Sequence, residues 1–403
     1  MDAIQQLPVI IAGAGPAGSV LALALAKYDI PVMLLEKQQT LPIDLRASTF
    51  HPPTLELLHK LGVVDEMIAM GLVVDRYQYR DRKTQQVAEF DMSLISDETT
   101  FPFRLQLEQY ELTHIIARHL KQYPHVTVLF EHEVVDFTQD EHEVSAVVKT
   151  PHGNINIAGS FLLGCDGASS NVRKAANIDY CGFTYDEKFL VASTNFPFEQ
   201  VFDNLSYVNY VSDPDEWCVI LRTDKIWRVL WPTDPNQVDE DTLLSEAYIQ
   251  ERLQHLYPKK GDYDIGHRTL YNVHQRVAET YFKGRVVLVG DACHINNPLG
   301  GMGMNGGLHD AFNLADKLVE IIVNGSEHNE KFAHYDRQRK DLAVQFVQQH
   351  TIANKKLMEA TDPNVQSERQ KMFMETAADP IKAKQFIMER AMIDCWRDSL
   401  RVP

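Results

Sequence analysis

No run of about 18 uninterrupted apolar residues occurs in the 403-residue chain, so the sequence offers no transmembrane helix. Basic residues are scarce: 39 Lys and Arg stand against 56 Asp and Glu, a formal charge of -17. That balance argues against a nucleic-acid partner, which needs a basic footprint. It leaves an anionic substrate open, because local arginines override the global field. Cysteine is sparse: Cys165, Cys181, Cys218, Cys293 and Cys395 are scattered, odd in number and form no CxxC pair. They read as reduced thiols of a cytoplasmic protein. HExxH and Cys/His ligand spacings are missing, and His114 and His119 lie five apart, a poor ligand spacing. No metal is therefore expected. GxSxG and Walker A sequences are also missing, which removes the common hydrolase and P-loop readings. The N-terminus does not read as a secretory signal. Asp2 stands where a basic region belongs, and Gly13, Gly15 and Pro16 break the apolar run.

A chain of this length suggests two domains, or one large domain with a subdomain. Val9 to Ala12 reads as a buried parallel strand, 16–27 as a small-residue helix, and 31–35 as a second strand ending in Glu36. Together they make a βαβ unit. From 183 to 275 aromatic and β-branched residues dominate, which predicts a largely antiparallel sheet. Residues 286–289 return to a parallel-type strand. Leu308, Phe312, Ala315, Val319 and Ile322 line one face of a helix over 308–323, and the tail after 330 is helical and charged. The fold class expected is α/β: a Rossmann-type dinucleotide domain with an inserted, mostly antiparallel β-sheet domain and a helical C-terminal tail. The first domain takes residues 1–70, 98–182 and 276–403. The second takes 71–97 and 183–275.

Three motifs carry chemistry. Gly13-Ala14-Gly15-Pro16-Ala17-Gly18 follows a strand and opens a helix, the context a GxGxxG fingerprint requires. Gly13 allows the tight turn, Gly15 lets backbone approach a pyrophosphate, and Gly18 lets helix pack on sheet. The helix N-terminus then faces the phosphates. Glu36, 18 residues on, can accept from a ribose 2′-hydroxyl and would repel a 2′-phosphate, so FAD or NAD is expected there rather than NADP. The second motif begins Gly164-Cys165-Asp166-Gly167. The third runs from Gly284 through Gly290-Asp291 and Pro298-Leu299-Gly300-Gly301-Met302-Gly303-Met304-Asn305 to Gly307, with seven glycines in 24 residues. So many glycines read as close backbone approach to a flat or phosphorylated ligand rather than as a packing device.

In this order and spacing the three motifs resemble the single-component FAD-dependent aromatic hydroxylases, the flavoprotein monooxygenases similar to p-hydroxybenzoate hydroxylase. The resemblance covers about residues 8–325. It implies FAD as cofactor, NADH or NADPH as co-substrate, O2, a small aromatic or heteroaromatic substrate, and a homodimer as a common assembly. Oxygen transfer would pass through a flavin C4a-hydroperoxide. It also implies roles. Gly13, Gly15, Pro16, Ala17, Gly18, Glu36 and Lys37 would hold the ADP half of FAD. Gly290 and Asp291 would take the ribityl chain, and Pro298, Gly301, Gly303, Met304 and Asn305 would lie along the isoalloxazine. Asp166, Gln109 and the flavin-side Arg46 match further cofactor positions, with Arg104 and Gln106 as weaker candidates. Arg46 and Pro298 are also the candidates beside the reacting centre.

The catalytic base is not fixed by the sequence. Tyr207, Tyr210, His267 and His274 are candidates, each also readable as an ordinary strand residue. Arg222, Arg228 and Arg268 are candidates for a substrate carboxylate, or plain solvated residues. Trp227 and Trp231 share a strand face and would either wall a pocket or fill a core. Three other readings stand beside the hydroxylase. A quinone-biosynthesis-type ring hydroxylase would want a basic amphipathic docking helix, which is not seen. A halogenase would want WxWxIP, which Trp227-Arg228-Val229-Leu230-Trp231-Pro232 does not match. The third is a non-hydroxylating FAD-binding redox protein.

Overall fold

The N-terminal apolar run forms β1 (Val9–Ala12), buried at every residue. It pairs in parallel with β2 (Val32–Glu36) on one side and with Phe161–Gly164 on the other. A strand flanked on both sides and covered on both faces has no solvent edge, which is why its sequence is continuously apolar. The computed structural model describes residues 7–43, 45, 47–213, 216–359 and 362–403. Its six-stranded sheet runs in the order Phe282–Lys283, Val286–Leu288, Phe161–Gly164, β1, β2, Val126–Phe130. Helix α1 (Pro16–Ala26) connects β1 to β2; its residues from Gly18 to Ala26 are all buried. The chain is α/β, as the βαβ reading expected.

An eight-stranded sheet follows the order His294–Ile295, Ile265–Ala278, Tyr180–Thr194, Trp227–Thr233, Cys218–Arg222, Val208–Ser212, Arg76–Asp81, Val87–Asp91. Its pairings are antiparallel except between Val208–Ser212 and Arg76–Asp81. Alternation divides its two faces. Trp227, Val229 and Trp231 point to one face and pack with Ile249, Leu253 and Leu256 of the helix Glu246–Leu256. They do share a face, and they form core and do not border the cavity described below. Tyr79, Phe90, Tyr210 and Val219 point to the other face. There they meet Phe373 and Ile387 from the helices Pro363–Ala378 and Pro380–Arg390. Tyr79 stacks on Tyr210 with ring centres 4.8 Å apart and on Phe373 at 3.9 Å. The charged tail is therefore an outer layer laid over the sheet, with Phe373 1% exposed.

Two sequence expectations shift. The helix expected from residue 308 is α2 (Met302–Ile322), which starts six residues earlier. Gly306 and Gly307 lie inside it; Gly306 is a packing glycine and does not border the cavity described below, whereas Gly307 both packs and borders it. A Cβ on Gly307 would sit 3.1 Å from the Gly290 Cα, and one on Gly306 3.2 Å from the His294 ring. Gly300 and Gly301, in contrast, have φ of +92° and +65°, a region that favours glycine.

The Gly290 turn is tied to α2 by one buried carboxylate. Asp310 of α2 accepts from Gly290 N at 3.2 Å, pairs with His294 Nε2 at 2.7 Å, and accepts from Arg339 Nε at 2.6 Å. Arg339 belongs to α3 (His328–Leu342), is fully buried, and also donates to the Gly306 carbonyl at 3.2 Å. Burial pushes the Asp310 carboxyl up, but His294 and Arg339 more than offset this and hold it at about 2, below the ordinary 3.8. Removing one partner of a buried pair leaves an uncompensated charge. Arg339→Met is therefore expected to cost about 3–5 kcal/mol, measured by denaturant unfolding. A lowered folded-state value also sets the sign of the acid response. The stabilisation from Asp310 is complete above about pH 4 and fades as pH falls toward 2. Asp310→Asn should flatten that acid limb, and an unchanged acid-unfolding profile would count against the assignment.

Candidate active site

A cavity of about 950 Å³ opens at the carboxyl ends of the parallel strands and runs under the eight-stranded sheet. That is the upper range for a ligand or cofactor site, in the position such sheets favour. At its first end, β1 turns into α1. Gly13 has φ +102°, and a Cβ there would lie 2.5 Å from the Cys165 carbonyl. Gly18 packs against the same turn: its Cβ would lie 2.0 Å from the Gly13 carbonyl. Gly15 caps α1 with open space where a Cβ would be, and α1 carries no acidic residue in its first turn. The helix N-terminus therefore offers unscreened amides to an anion. Glu36 accepts from Ala14 N at 2.9 Å and Gln38 N at 3.0 Å. A carboxylate has about four lone-pair sites, so it retains capacity for ribose hydroxyls.

Around the middle of the cavity Asp166 uses one oxygen to accept from Asn171 N (2.7 Å) and Val172 N (3.1 Å). Its other oxygen is buried with no partner. Gly290, with φ +63°, sits where a Cβ would be 3.3 Å from Ala17, which brings the GD turn against the start of α1. The loop from Pro298 to Gly303 then crosses to the far end. That end is walled by Val208, Tyr210, Val219, Leu221, Leu230 and Leu299. A phosphate-and-polyol end thus continues into an apolar end. The orphaned Asp166 oxygen and the open backbone at Gly15 fit a dinucleotide lying along it.

Of the predicted cofactor residues, Gly13, Gly15, Pro16, Ala17, Glu36, Lys37, Gln109, Asp166, Gly290, Asp291, Pro298, Gly301, Gly303 and Met304 all border this cavity. Gly18 lies beneath it as a packing residue. Asn305 does not face it. Its amide is consumed by His51 N, Thr54 Oγ1 and the carbonyls of Thr49 and Gly301, all within 2.9 Å. It fixes the loop rather than touching a ligand. Arg46 lies outside the described residues. Among the candidate bases Tyr210 and His274 border the cavity, while Tyr207 and His267 do not. Tyr207 is out of phase with Val208 and Tyr210, so alternation turns it to the Trp227 side and to solvent. His267 lies four residues, about 13 Å, along its strand from Tyr271. Arg222 and Arg268 are also off the cavity. Arg228 is neither solvated nor a substrate ligand: it is buried and pairs with Glu108 at 2.8 Å, joining the eight-stranded sheet to the segment before the helix Gln109–Leu120. Burial pushes the Glu108 carboxyl up, and Arg228 opposes that.

A model of the FAD binding domain family matches residues 6–350. The chain belongs to that family. It is 31% identical over 390 residues to para-nitrophenol 4-monooxygenase of Pseudomonas sp. strain WBC-3, covering 94% of each chain. It is 34% identical to 6-hydroxy-3-succinoylpyridine 3-monooxygenase of Pseudomonas putida over 83% of this chain and 85% of the relative. The crystal structure of p-nitrophenol 4-monooxygenase from Pseudomonas putida superposes with a TM-score of 0.90 at 27% identity, covering 97% of this chain and 98% of that one. The α/β fold with its helical C-terminal region, FAD as cofactor, and a monooxygenase activity are thereby shared with the family.

Sequence reasoning missed Thr49, His132, Lys174, Tyr271 and Asn272, which also border the cavity. Thr49 comes from a two-residue strand paired with Arg104–Gln106, a long-range pairing with no local signature. Glu36→Ala and Asp291→Ala are each expected to purify without FAD while keeping the far-ultraviolet dichroism of the parent. A variant that stays fully yellow would remove that residue from the site.

Proposed function

We propose that this FAD-dependent monooxygenase hydroxylates a small phenolic or heteroaromatic ring with NADH or NADPH and O2. The observation that carries the reading is the single cavity joining the dinucleotide turn at Gly13 and Gly15 to an apolar chamber at Val208, Val219, Leu221 and Leu230. The names of its relatives, a nitrophenol and a hydroxypyridine monooxygenase, support a substrate of that size. The reaction balances as ring C–H plus O2, NAD(P)H and a proton, giving ring C–OH, water and NAD(P)+. Bound FAD supplies the electron transfer and the activation of oxygen.

The chain's own residues do the rest. The α1 amides, Glu36 and Asp291 would anchor the ADP and ribityl parts, and the Pro298–Gly303 loop would carry the flat ring system to the mouth of the chamber. Leu221, Leu230 and Leu299 would exclude water, which protects a reactive oxygen species from wasteful decay. Tyr210 borders the chamber with no hydrogen-bond partner for its hydroxyl among the described residues, so it is the group placed to receive or relay a phenolic proton. We assign 71–97 and 183–275 to the substrate domain and the remainder to the FAD domain; the course of the eight-stranded sheet supports this division. A cytoplasmic location is supported by five free cysteines. No helix among the described residues is long and apolar enough to cross a membrane.

The test is oxidation of NADH and NADPH by the FAD-loaded protein against a panel of phenols, anilines and hydroxypyridines, with peroxide measured in parallel. At least one ring class should stimulate oxidation strongly with little peroxide. Stimulation by none of them, or oxidation that ends wholly as peroxide, would refute the hydroxylase reading.

A further inference from the structure

Arg104 stands out among the groups that border the cavity. It lies on the short strand Arg104–Gln106, is 2% exposed, and forms no ion pair among the described residues. Its Nε is buried without a partner, and no hydrogen bond engages its terminal nitrogens among those residues. Its guanidinium carbon lies 4.2 Å from the centroid of the Tyr77 ring. A cation–π contact takes up no N–H donor by hydrogen bonding to a lone pair, so the guanidinium keeps its donors for a ligand.

Its position is equally specific. Arg104 is felt by His51, whose ring nitrogen lies 2.8 Å from the Gly300 carbonyl of the flavin-side loop. Burial first, then the Arg104 charge, pushes His51 down to about 3, against the opposing pull of that carbonyl. It is also felt by Tyr77 and Tyr79, and Tyr79 stacks on Tyr210 of the chamber wall. Burial pushes both tyrosines up, Tyr79 to about 12. So the groups that feel Arg104 are a neutral imidazole and two neutral phenols, and none of them supplies it a negative charge among the described residues. A guanidinium buried without a counter-ion is costly, and its fork of N–H donors matches an anionic oxygen.

We propose that Arg104 binds the ionised oxygen of the substrate at the junction of chamber and flavin loop, and so selects phenolates. This rests on the hydroxylase reading and names its substrate class: small rings carrying an acidic hydroxyl. An adjacent cation lowers the pKa of an acidic group by about 1–3 units, so the bound phenol ionises below its solution pKa and its proton is relayed by the Tyr210 hydroxyl to solvent. The phenolate ring is more electron-rich and better suited to electrophilic oxygen transfer.

The experiment compares the FAD-loaded parent with Arg104→Gln and Arg104→Lys. The probes are 4-nitrophenol, whose phenolate alone is strongly coloured, and 4-nitroanisole, which cannot ionise. Difference spectra are taken below the solution pKa of 4-nitrophenol. The parent should convert bound probe to phenolate. Arg104→Gln should retain FAD, lose that conversion and bind 4-nitrophenol about 10- to 100-fold more weakly. Its affinity for 4-nitroanisole should be unchanged. Arg104→Lys keeps the charge without the fork and should fall between; it serves the same test if the glutamine variant does not fold. Equal phenolate conversion in all three proteins would overturn the assignment. Loss of FAD from a folded Arg104→Gln would overturn it too, by giving the guanidinium to the cofactor. If the parent oxidises NAD(P)H with neutral rings but not phenols, the hydroxylase reading survives and this one falls. If no ring stimulates oxidation, both fall.

Discussion

Much of the site depends on one fully buried carboxylate. Asp310 sits inside α2 and receives the amide of Gly290, the ring of His294 and the guanidinium of Arg339. Each comes from a different part of the glycine-rich third motif or from the helix behind it. Backbone turns rich in glycine have high conformational freedom and little side-chain packing of their own. They stay in one shape only if something rigid holds them from behind. A buried charge satisfied by three donors does this, since any slip leaves it unpaired in a low dielectric. Asn305 applies the same logic one turn earlier, spending all of its amide on His51, Thr54, Thr49 and Gly301.

With the turns fixed, the rest is a question of which faces meet. The eight-stranded sheet puts tryptophans and a helix on one side and leaves leucine, valine and tyrosine on the other. That second side is shared between the chamber and the C-terminal helices, through Tyr79, Tyr210 and Phe373. The chamber wall is thus backed by residues nearly three hundred positions downstream in sequence from Tyr79. At its edge the strand Arg104–Gln106 brings a buried cation that has no ion-pair partner among the described residues.

The dinucleotide end was legible because its chemistry is local. Gly13, Gly15, Gly18 and Glu36 lie within 24 residues, and strand, turn and helix each leave their own periodic mark. Gly306 was misread because a glycine needed for helix contact and one needed for ligand approach look alike in one dimension; only the neighbouring His294 ring shows that Gly306 is the former. Tyr207 and Tyr210 looked equivalent, and a shift in strand phase separated them. Arg228 looked like a candidate substrate ligand until Glu108 lay beside it.

The sequence alone determined the fold class and a dinucleotide site, since these rest on short spacings that sterics and backbone hydrogen bonding translate directly into a turn; FAD itself and the kind of chemistry came from the resemblance that its three motifs together bear to the flavoprotein hydroxylases. The tertiary structure alone decided which side chains face the substrate. Those choices depend on pairings between distant strands, such as Thr49 with Gln106 and Tyr210 with Tyr79, and on which buried charge finds a partner. Arg228 and Arg104 are the same residue type on neighbouring surfaces. Among the described residues one is paired with a carboxylate and one is not, and that difference exists only in three dimensions.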